Sequence, residues 1–351
     1  MKFKIIISIL VFCLLCGCTA VSTVSENITS SNLLSSNEYS SLESVISSGQ
    51  SSTVSKSEED VNISFNVPNI VASKKYDDLL GKITDFGKTV IGYGDLSNEE
   101  YKTTLLELED VLDNYNKSIS VVAYSLNNTK ALAYNTEKAL FCACTVKAPF
   151  SLFSCLEMDK GNGSLDTKMK YEKKHYEPGT GDMQFSPVGT IFDMKTIIHK
   201  SMSISDNVGY FMQVDYFDRV KYNTWISNLG APSMQIKPTV WSLKAKSKEL
   251  ALSWREIYNY FISGAEHAQF LYSTCTNTAD NFATAGLEGV DYSHKPGFNG
   301  GSEWPSYCDA GIVWNGQGSY IIVILTNTSG KTSAGAKVMK DIIQIVHNKL
   351  M

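Results

Sequence analysis

Cys144-Thr145-Val146-Lys147 places a thiol three residues before a lysine, and Pro149 follows within the same run, Phe141-Cys-Ala-Cys-Thr-Val-Lys-Ala-Pro-Phe150. If a helix starts near Cys144, the three-residue offset stacks Lys147 on the same face, one turn above. Pro149 suits that start, because the first helical turn has no intrahelical use for its N–H groups. A thiol at a helix N-terminus beside an ammonium feels the two influences that lower a cysteine pKa. The lysine is also placed to accept its proton. The alternative is a small cysteine buried on a core helix. Two other short runs have chemical potential. Ser205-Asp206-Asn207 opens a predicted helix, where such residues also serve as caps. Lys295-Pro296-Gly297 lies on a candidate edge strand, where proline is permitted; its alternative is a turn.

These runs need elements to hold them. Helical apolar spacing covers Tyr76 to Val90 and Asn98 to Asn114. Ser118–Ser125 and Ala131–Tyr134 read as strands joined through Asn127-Asn128. The Cys144 helix runs to about Lys160 and stops at Gly161-Asn-Gly163. Residues 164–191 read as irregular, with Pro178-Gly-Thr-Gly181 and Pro187-Val-Gly189 as breakers. Helices are predicted over Asp193–Met202, Asn207–Phe217, about Val220–Leu229 and about Ser253–Gly264. Ala310–Trp314 and Ser319–Leu325 read as strands, followed by a helix over about Ser333–Leu350. Strands at both ends with helices between them predict an α+β domain, its antiparallel sheet formed by both chain ends and a helical subdomain inserted.

Ahead of this domain, Met1-Lys-Phe-Lys4 is basic and Ile5 to Leu15 is an apolar run too short to span a bilayer comfortably, which reads as an export signal. It ends in Leu15-Cys16-Gly17-Cys18, which resembles a bacterial lipobox; the resemblance implies cleavage after residue 17 and lipid on Cys18, the alternative being an ordinary signal peptide cleaved nearby or an uncleaved anchor. Residues 19–69 are rich in Ser, Thr and Asn without apolar period, and read as a disordered tether. Residues 70–351 remain for the domain. The expected location is extracytoplasmic, anchored to the cell membrane by lipid. A net charge of -5 with 19% charged residues offers no basic surface for nucleic acid. Hydrophobic residues at 43% suffice for a large core. Of eight cysteines, Cys142, Cys144, Cys155, Cys275 and Cys308 fall in the domain, an odd number, so at least one thiol stays free or pairs between molecules. No spacing of His and Cys argues for a metal site, and no cofactor is implied.

Taken together and in order, the three runs resemble the S-x-x-K, S-D-N and K-T-G motifs of class A β-lactamases and penicillin-binding proteins. Their context fits as well: Met202-Ser-Ile-Ser-Asp-Asn207 resembles the loop before a helix, and His294–Phe298 with Cys308–Val313 resembles the family's hairpin. The resemblance implies acyl transfer on a β-lactam or a D-alanyl peptide or ester of peptidoglycan, by a monomer. Cys144 would be the nucleophile, Lys147 its base and Ser205 the proton relay to the leaving nitrogen. Asn207 would hold the lysine and the substrate amide, and Lys295 would meet the substrate carboxylate. Gly297 would let the substrate backbone lie beside the strand, and the N–H groups of Cys144 and Phe298 would form the oxyanion hole.

Three departures stand against the family pattern. Cysteine replaces the nucleophilic serine, and sulfur's longer bonds displace the attacking atom. Pro296 replaces threonine in the third motif. The Ω-loop glutamate that activates a deacylating water is missing: between Gly230 and Ser253 the one acidic residue is Glu249, too close to the following helix, and Glu177 does not match either. The expected function is therefore a β-lactamase-related acyl hydrolase acting through a covalent acyl-enzyme on Cys144. The alternative is a non-catalytic relative that binds wall peptides or a partner in the same cleft.

Overall fold

Strand-forming residues from the two ends of the domain meet in one antiparallel sheet. The computed structural model describes residues 118–351, apart from 128–129, 239–242, 282–286, 288, 302, 316–317 and 329–332, together with residues 91–93, 107–108 and 110–111. The export signal with Cys18, the tether, the helix predicted over Tyr76 to Val90 and most of that over Asn98 to Asn114 lie outside the described residues; 107–108 and 110–111 are helical.

The sheet orders its six strands β1-β3-β2-β10-β9-β8. These are β1 (Ile91–Tyr93), β2 (Ile119–Ser125), β3 (Ala131–Tyr134), β8 (Asp291–Asn299), β9 (Ser306–Trp314) and β10 (Tyr320–Thr326). Strands β2 and β10 join the two chain ends, with Ile119 opposite Thr326 and Ser125 opposite Tyr320. Both are mainly apolar and buried along their whole length, as strands covered on two faces must be.

Between these ends the chain forms short strands β4 (Leu140–Phe141), β5 (Lys168–Lys170), β6 (Ile191–Asp193) and β7 (Lys244–Ala245), and helices α1 (Lys147–Asp159), α2 (Met194–Ser203), α3 (Asn207–Phe217), α4 (Arg219–Asn228), α5 (Ser247–Phe261) and α6 (Ala268–Thr276). Helix α7 (Ser333–Leu350) closes the domain. One apolar cluster fills the space between α1–α6 and the face of the sheet that carries Cys308, Ala310, Ile312 and Ile321. A second holds α7 against the opposite face through Val338, Ile342 and Val346.

Helix α1 is the axis of the first cluster. Phe150, Leu152, Phe153, Cys155 and Met158 are all buried. Phe150 meets the rings of Phe153, Tyr210 and Tyr222 at centroid distances of 5.8, 5.7 and 4.8 Å. Burying each such side chain stabilises by about 1.5–3 kcal/mol, which anchors α1 in the first cluster.

Two helix boundaries depart from the sequence reading. Helix α5 starts at Ser247, not near Ser253, and α6 was not foreseen. Residues 164–191 also contain the paired strands β5 and β6 rather than irregular chain alone. The early start of α5 has a visible cause: Lys246 and Lys248 both pair with the carboxylate of Glu137, far back in the chain. Glu249, in the first turn of α5, accepts from the backbone N–H of Ser233 at 2.7 Å. Its carboxylate is thereby committed to holding the loop before the helix.

Candidate active site

The chain enters α1 through a turn of 3-10 helix, Ala143–Val146. In such a turn residues three apart eclipse each other, so the offset between Cys144 and Lys147 puts both on one line. Ala143, just before the thiol, takes a left-handed conformation (φ 46°), which a side chain adopts only under constraint. Part of that constraint is local: Thr145 Oγ1 donates to Cys142 O at 2.7 Å. The rest comes from β8. A Cβ added at Gly297 would lie 2.9 Å from both Cys142 O and Cys144 N, and 3.1 Å from Thr145 N. Glycine alone therefore lets the third motif's backbone press against the thiol turn, with Phe298 the next residue along β8.

The second motif arrives on the turn between α2 and α3. Ser205 is also left-handed (φ 59°). Asp206 caps α3, accepting from Gly209 N at 2.8 Å, while its second oxygen accepts from Met183 N at 2.8 Å. This bears out its reading as a structural cap. Lys147 is fully buried, and its ammonium donates to Ser205 O at 2.5 Å and Asn207 Oδ1 at 2.8 Å, with Ser205 Oγ at 3.4 Å. Asn207 is steadied in turn by donating Nδ2 to Pro178 O at 3.1 Å.

Sequence reasoning passed over Thr180, whose hydroxyl donates to Ser205 O at 2.6 Å. Its signal was present in Pro178-Gly-Thr-Gly181, read only as a breaker. Gly181 is needed there, because a Cβ would fall 2.0 Å from Asp206 Oδ2.

Lys295 reaches the same place from β8, with 1% exposure, donating to Pro296 O at 3.0 Å. The structure thus brings together Cys144, Lys147, Ser205, Asn207, Lys295 and Gly297 from three separate segments, while the side chain of Phe298 packs against the second cluster.

Electrostatics single out one thiol. Burial by itself raises Cys144, but the ammonium of Lys147, then that of Lys295, and hydrogen bonding from Ser205 and Lys147 outweigh it and leave the thiol below its ordinary value. Burial lowers Lys147, against the opposing pull of Cys144 and Asp206. The result is a thiolate-forming cysteine beside a lysine able to give and take a proton nearer neutrality. The five cysteines described are all free, so the odd thiol count has no disulfide behind it here.

One group with metal-ligand chemistry exists among the described residues: Asp159, Glu266 and His267, with donor atoms within 4.8 Å of one another. It lies beyond the far end of α1, and Asp159 is already bonded to His267 Nδ1 and Tyr260 OH, each at 2.6 Å.

A thiol beside a buried lysine at a helix start, with a hydroxyl and an amide from a second turn and a cation from an edge strand, is the set of groups that the three sequence motifs pointed to. The profile of the Beta-lactamase enzyme family matches residues 106–350, and the chain belongs to that family. Beta-lactamase VEB-1 of Pseudomonas aeruginosa is 22% identical over 285 residues, spanning 72% of this chain and 92% of its own. Among solved structures, a penicillin-G acyl-enzyme of a PBP-A variant superposes with a TM-score of 0.62 at 18% identity, covering 70% of this chain and 95% of the other. A beta-lactamase from Chitinophaga pinensis gives 0.63 at 19% identity, covering 70% and 98%.

Proposed function

We propose that this β-lactamase-related protein is an acyl hydrolase that acts on a β-lactam, or on a D-alanyl peptide or ester, through a covalent thioester on Cys144. The observation that carries the reading is the buried Lys147 ammonium, anchored by Asn207 and Ser205 and lowering the acidity barrier of the Cys144 thiol. A protein that only binds has no use for a nucleophile activated in this way.

In the reaction, the Cys144 thiol gives its proton to Lys147, its sulfur bonds to the carbonyl carbon and the carbonyl electron pair moves onto oxygen. The oxyanion is met by the N–H groups of Cys144 and Phe298, donors of a kind worth a few kcal/mol each. When the tetrahedral species collapses, the carbon–nitrogen or ester bond breaks. Ser205 passes a proton to the leaving atom and regains one from Lys147. Lys295 faces the substrate carboxylate, and Gly297 leaves room for the substrate beside β8. Water then cleaves the thioester, restoring the thiol. A thioester is more labile than an oxygen ester, which offsets the missing Ω-loop glutamate.

Two features favour a second reading, a cleft that binds wall peptides without turnover: Pro296 removes the third motif's hydroxyl, and Lys295 is only 1% exposed. Intact-mass spectrometry with penicillin and with a D-Ala-D-Ala ester separates the two. The hydrolase should show a transient adduct, Cys144→Ser a long-lived one, and Cys144→Ala none. Absence of adduct and turnover in every form would favour the binder, and equally long-lived labelling of native and Cys144→Ser protein would defeat the thioester argument.

The same reading puts the domain outside the cytoplasm, as a monomer held at the membrane by lipid on Cys18. Its support is the basic, apolar and Leu15-Cys16-Gly17-Cys18 order of the N-terminus. Fatty-acid labelling that disappears in Cys18→Ala would be the expected result.

A further inference from the structure

Three large apolar side chains stand in solvent within one short run, Phe185-Ser-Pro-Val-Gly-Thr-Ile191. Phe185 is 81% exposed, the most of any large apolar side chain among the described residues, Val188 62% and Ile191 57%. Apolar residues exposed singly need no explanation, but a group of them marks a contact surface. Register imposes the exposure of Ile191. Strand β6 pairs with β5 so that Ile191 lies opposite Lys170 and Asp193 opposite Lys168, with Phe192 opposite Met169 between them. Successive strand residues point to opposite faces. Met169 and Phe192 pack on the first apolar cluster, so Ile191 and Lys170 share the outward face.

The backbone beneath the run is fixed. Tyr171 N donates to Thr190 O and Gly189 N to Tyr171 O, each at 2.8 Å, and Thr190 Oγ1 donates to Pro187 O at 2.7 Å. Met183 is fully buried, and Asp206 holds its N–H. A turn already ordered spares a binding partner the cost of ordering it. Lysines flank the run. Lys170, Lys173 and Lys195 are exposed and form no ion pair with a described residue. The neighbouring acids are mostly engaged: Glu172 and Asp215 by Lys174, Asp182 by Lys200, and Asp193 by Lys168. Asp166 and Glu177 alone stand against the three lysines. The Lys170 stem lies along the turn, its Cε 3.7 Å from a Cβ placed on Gly189. A lysine in that position can lay its methylenes on an apolar layer and keep its ammonium among headgroups.

We propose that Phe185, Val188 and Ile191, flanked by Lys170, Lys173 and Lys195, dock the domain onto an anionic lipid bilayer, the one that holds its own N-terminus. This rests on the lipid proposed for Cys18 and not on the acyl-transfer reading. Apolar side chains with cations around them bind such a surface by burying the first and pairing the second. Reach is no obstacle. Residues 19–69 have the composition of a coil, and a coil of that length spans about 40 Å on average. A surface kept so near the bilayer meets it at high effective concentration, so a weak contact suffices. The same loop supplies Pro178 and Thr180 to the acyl-transfer site. Docking would therefore hold the Cys144 site close to the bilayer and favour ligands presented there.

Photolabelling of the full-length, lipid-bearing protein tests this. It is reconstituted in vesicles of phosphatidylglycerol and phosphatidylcholine that contain an acyl-chain diazirine lipid, and crosslinked peptides are identified by mass. Label should concentrate on residues 183–193, several-fold above Ile262, an exposed apolar residue that stands alone after α5. Phe185→Ser/Val188→Ser/Ile191→Ser should return the label to the Ile262 level. Its melting temperature should stay within about 2 °C of wild type, since exposed side chains carry little stability. If the triple variant failed to fold, Phe185→Ser alone should still remove about half of the label. Label at 183–193 no higher than at Ile262, or unchanged in a folded variant, would overturn the proposal. So would absent label together with a concentration-dependent dimer that the triple variant loses, which would assign the surface to a second copy. Fatty-acid labelling reports the anchor separately. If Cys18 took no lipid, yet full-length protein mixed with the same vesicles still labelled at 183–193, the anchor reading would fall and this surface would stand.

Discussion

Cys142 and Cys144 stand two residues apart on one turn, both buried and both free, yet their surroundings drive them in opposite directions. Burial and the neighbouring Cys308 push Cys142 up to about 12. It faces the phenols of Tyr210 and Tyr222 on the core side. Cys144, 7% exposed where Cys142 is sealed, meets Lys147, Lys295 and Ser205, and falls below the ordinary thiol range. Cys308, at about 11, and the raised Cys155 and Cys275 follow Cys142. Counter-charge, not residue type, sets one of the five described thiols apart from the rest.

The sharpest way to break the contrast is Lys147→Met. With its nearest cation gone, Cys144 should drift toward the behaviour of Cys142, and its alkylation by iodoacetamide at pH 7 should fall by about a hundredfold or more. An unchanged rate would mean that the turn itself, rather than the lysine, activates the thiol. Gly297→Ala comes next. The new methyl meets only backbone atoms, Cys142 O, Cys144 N and Thr145 N, none of which can yield as a flexible side chain would. Overpacking of this kind costs about 1–3 kcal/mol of stability. The displaced thiol turn should lower any acylation rate by roughly a hundredfold, for the reason that small misplacements at a reacting centre are costly.

Lys295→Met sharpens the comparison by removing the more distant cation. Cys144 alkylation should drop by about tenfold, less than for Lys147. Stability should move the other way. The folded lysine sits at about 8 against an ordinary 10.5, so between these values the unfolded chain binds more protons and stability rises with pH. At pH 7 the buried ammonium is a net cost of about 3 kcal/mol, with its attraction to Cys144 already counted in the value of about 8. The methionine variant should therefore melt several degrees above wild type at pH 7 and converge with it above pH 10.5. A lower melting point at pH 7 would show that the thiolate pairing outweighs burial.

How much of this could be read beforehand depends on sequence distance. The Cys144–Lys147 pair, the Asp206 cap and the edge position of Lys295 are local patterns, legible because a helix start, a cap and a strand each leave a short signature. The sheet joining both chain ends followed from apolar runs in β2 and β10. Long-range pairing was not legible. Glu137 fixes the start of α5 from 109 and 111 residues away, and nothing in either stretch announces the other. Thr180 was hidden because a threonine between glycines reads as a turn until its hydroxyl is seen on Ser205 O. The hydrogen-bonded pair of His294 on β8 and Asp309 on β9, 15 residues apart, was recoverable in principle: pairing the hairpin strands residue by residue brings the two together.

The smallest expected effect tests the other half of the contrast. Cys142 contributes its backbone carbonyl to Thr145 Oγ1, and that bond survives a change of side chain. Cys142→Ala removes a sulfur from the core beside Tyr210 and Tyr222, a cavity that should cost about 1 kcal/mol in chemical denaturation. Cys144 loses a thiol neighbour that is neutral at physiological pH, since a group at about 12 carries no charge there. Its alkylation rate at pH 7 and the pH of half-maximal rate should both stay at the wild-type values. If the rate fell instead, the two thiols would be acting as a unit, and the reactivity of Cys144 would owe more to its own turn than to the lysines that face it.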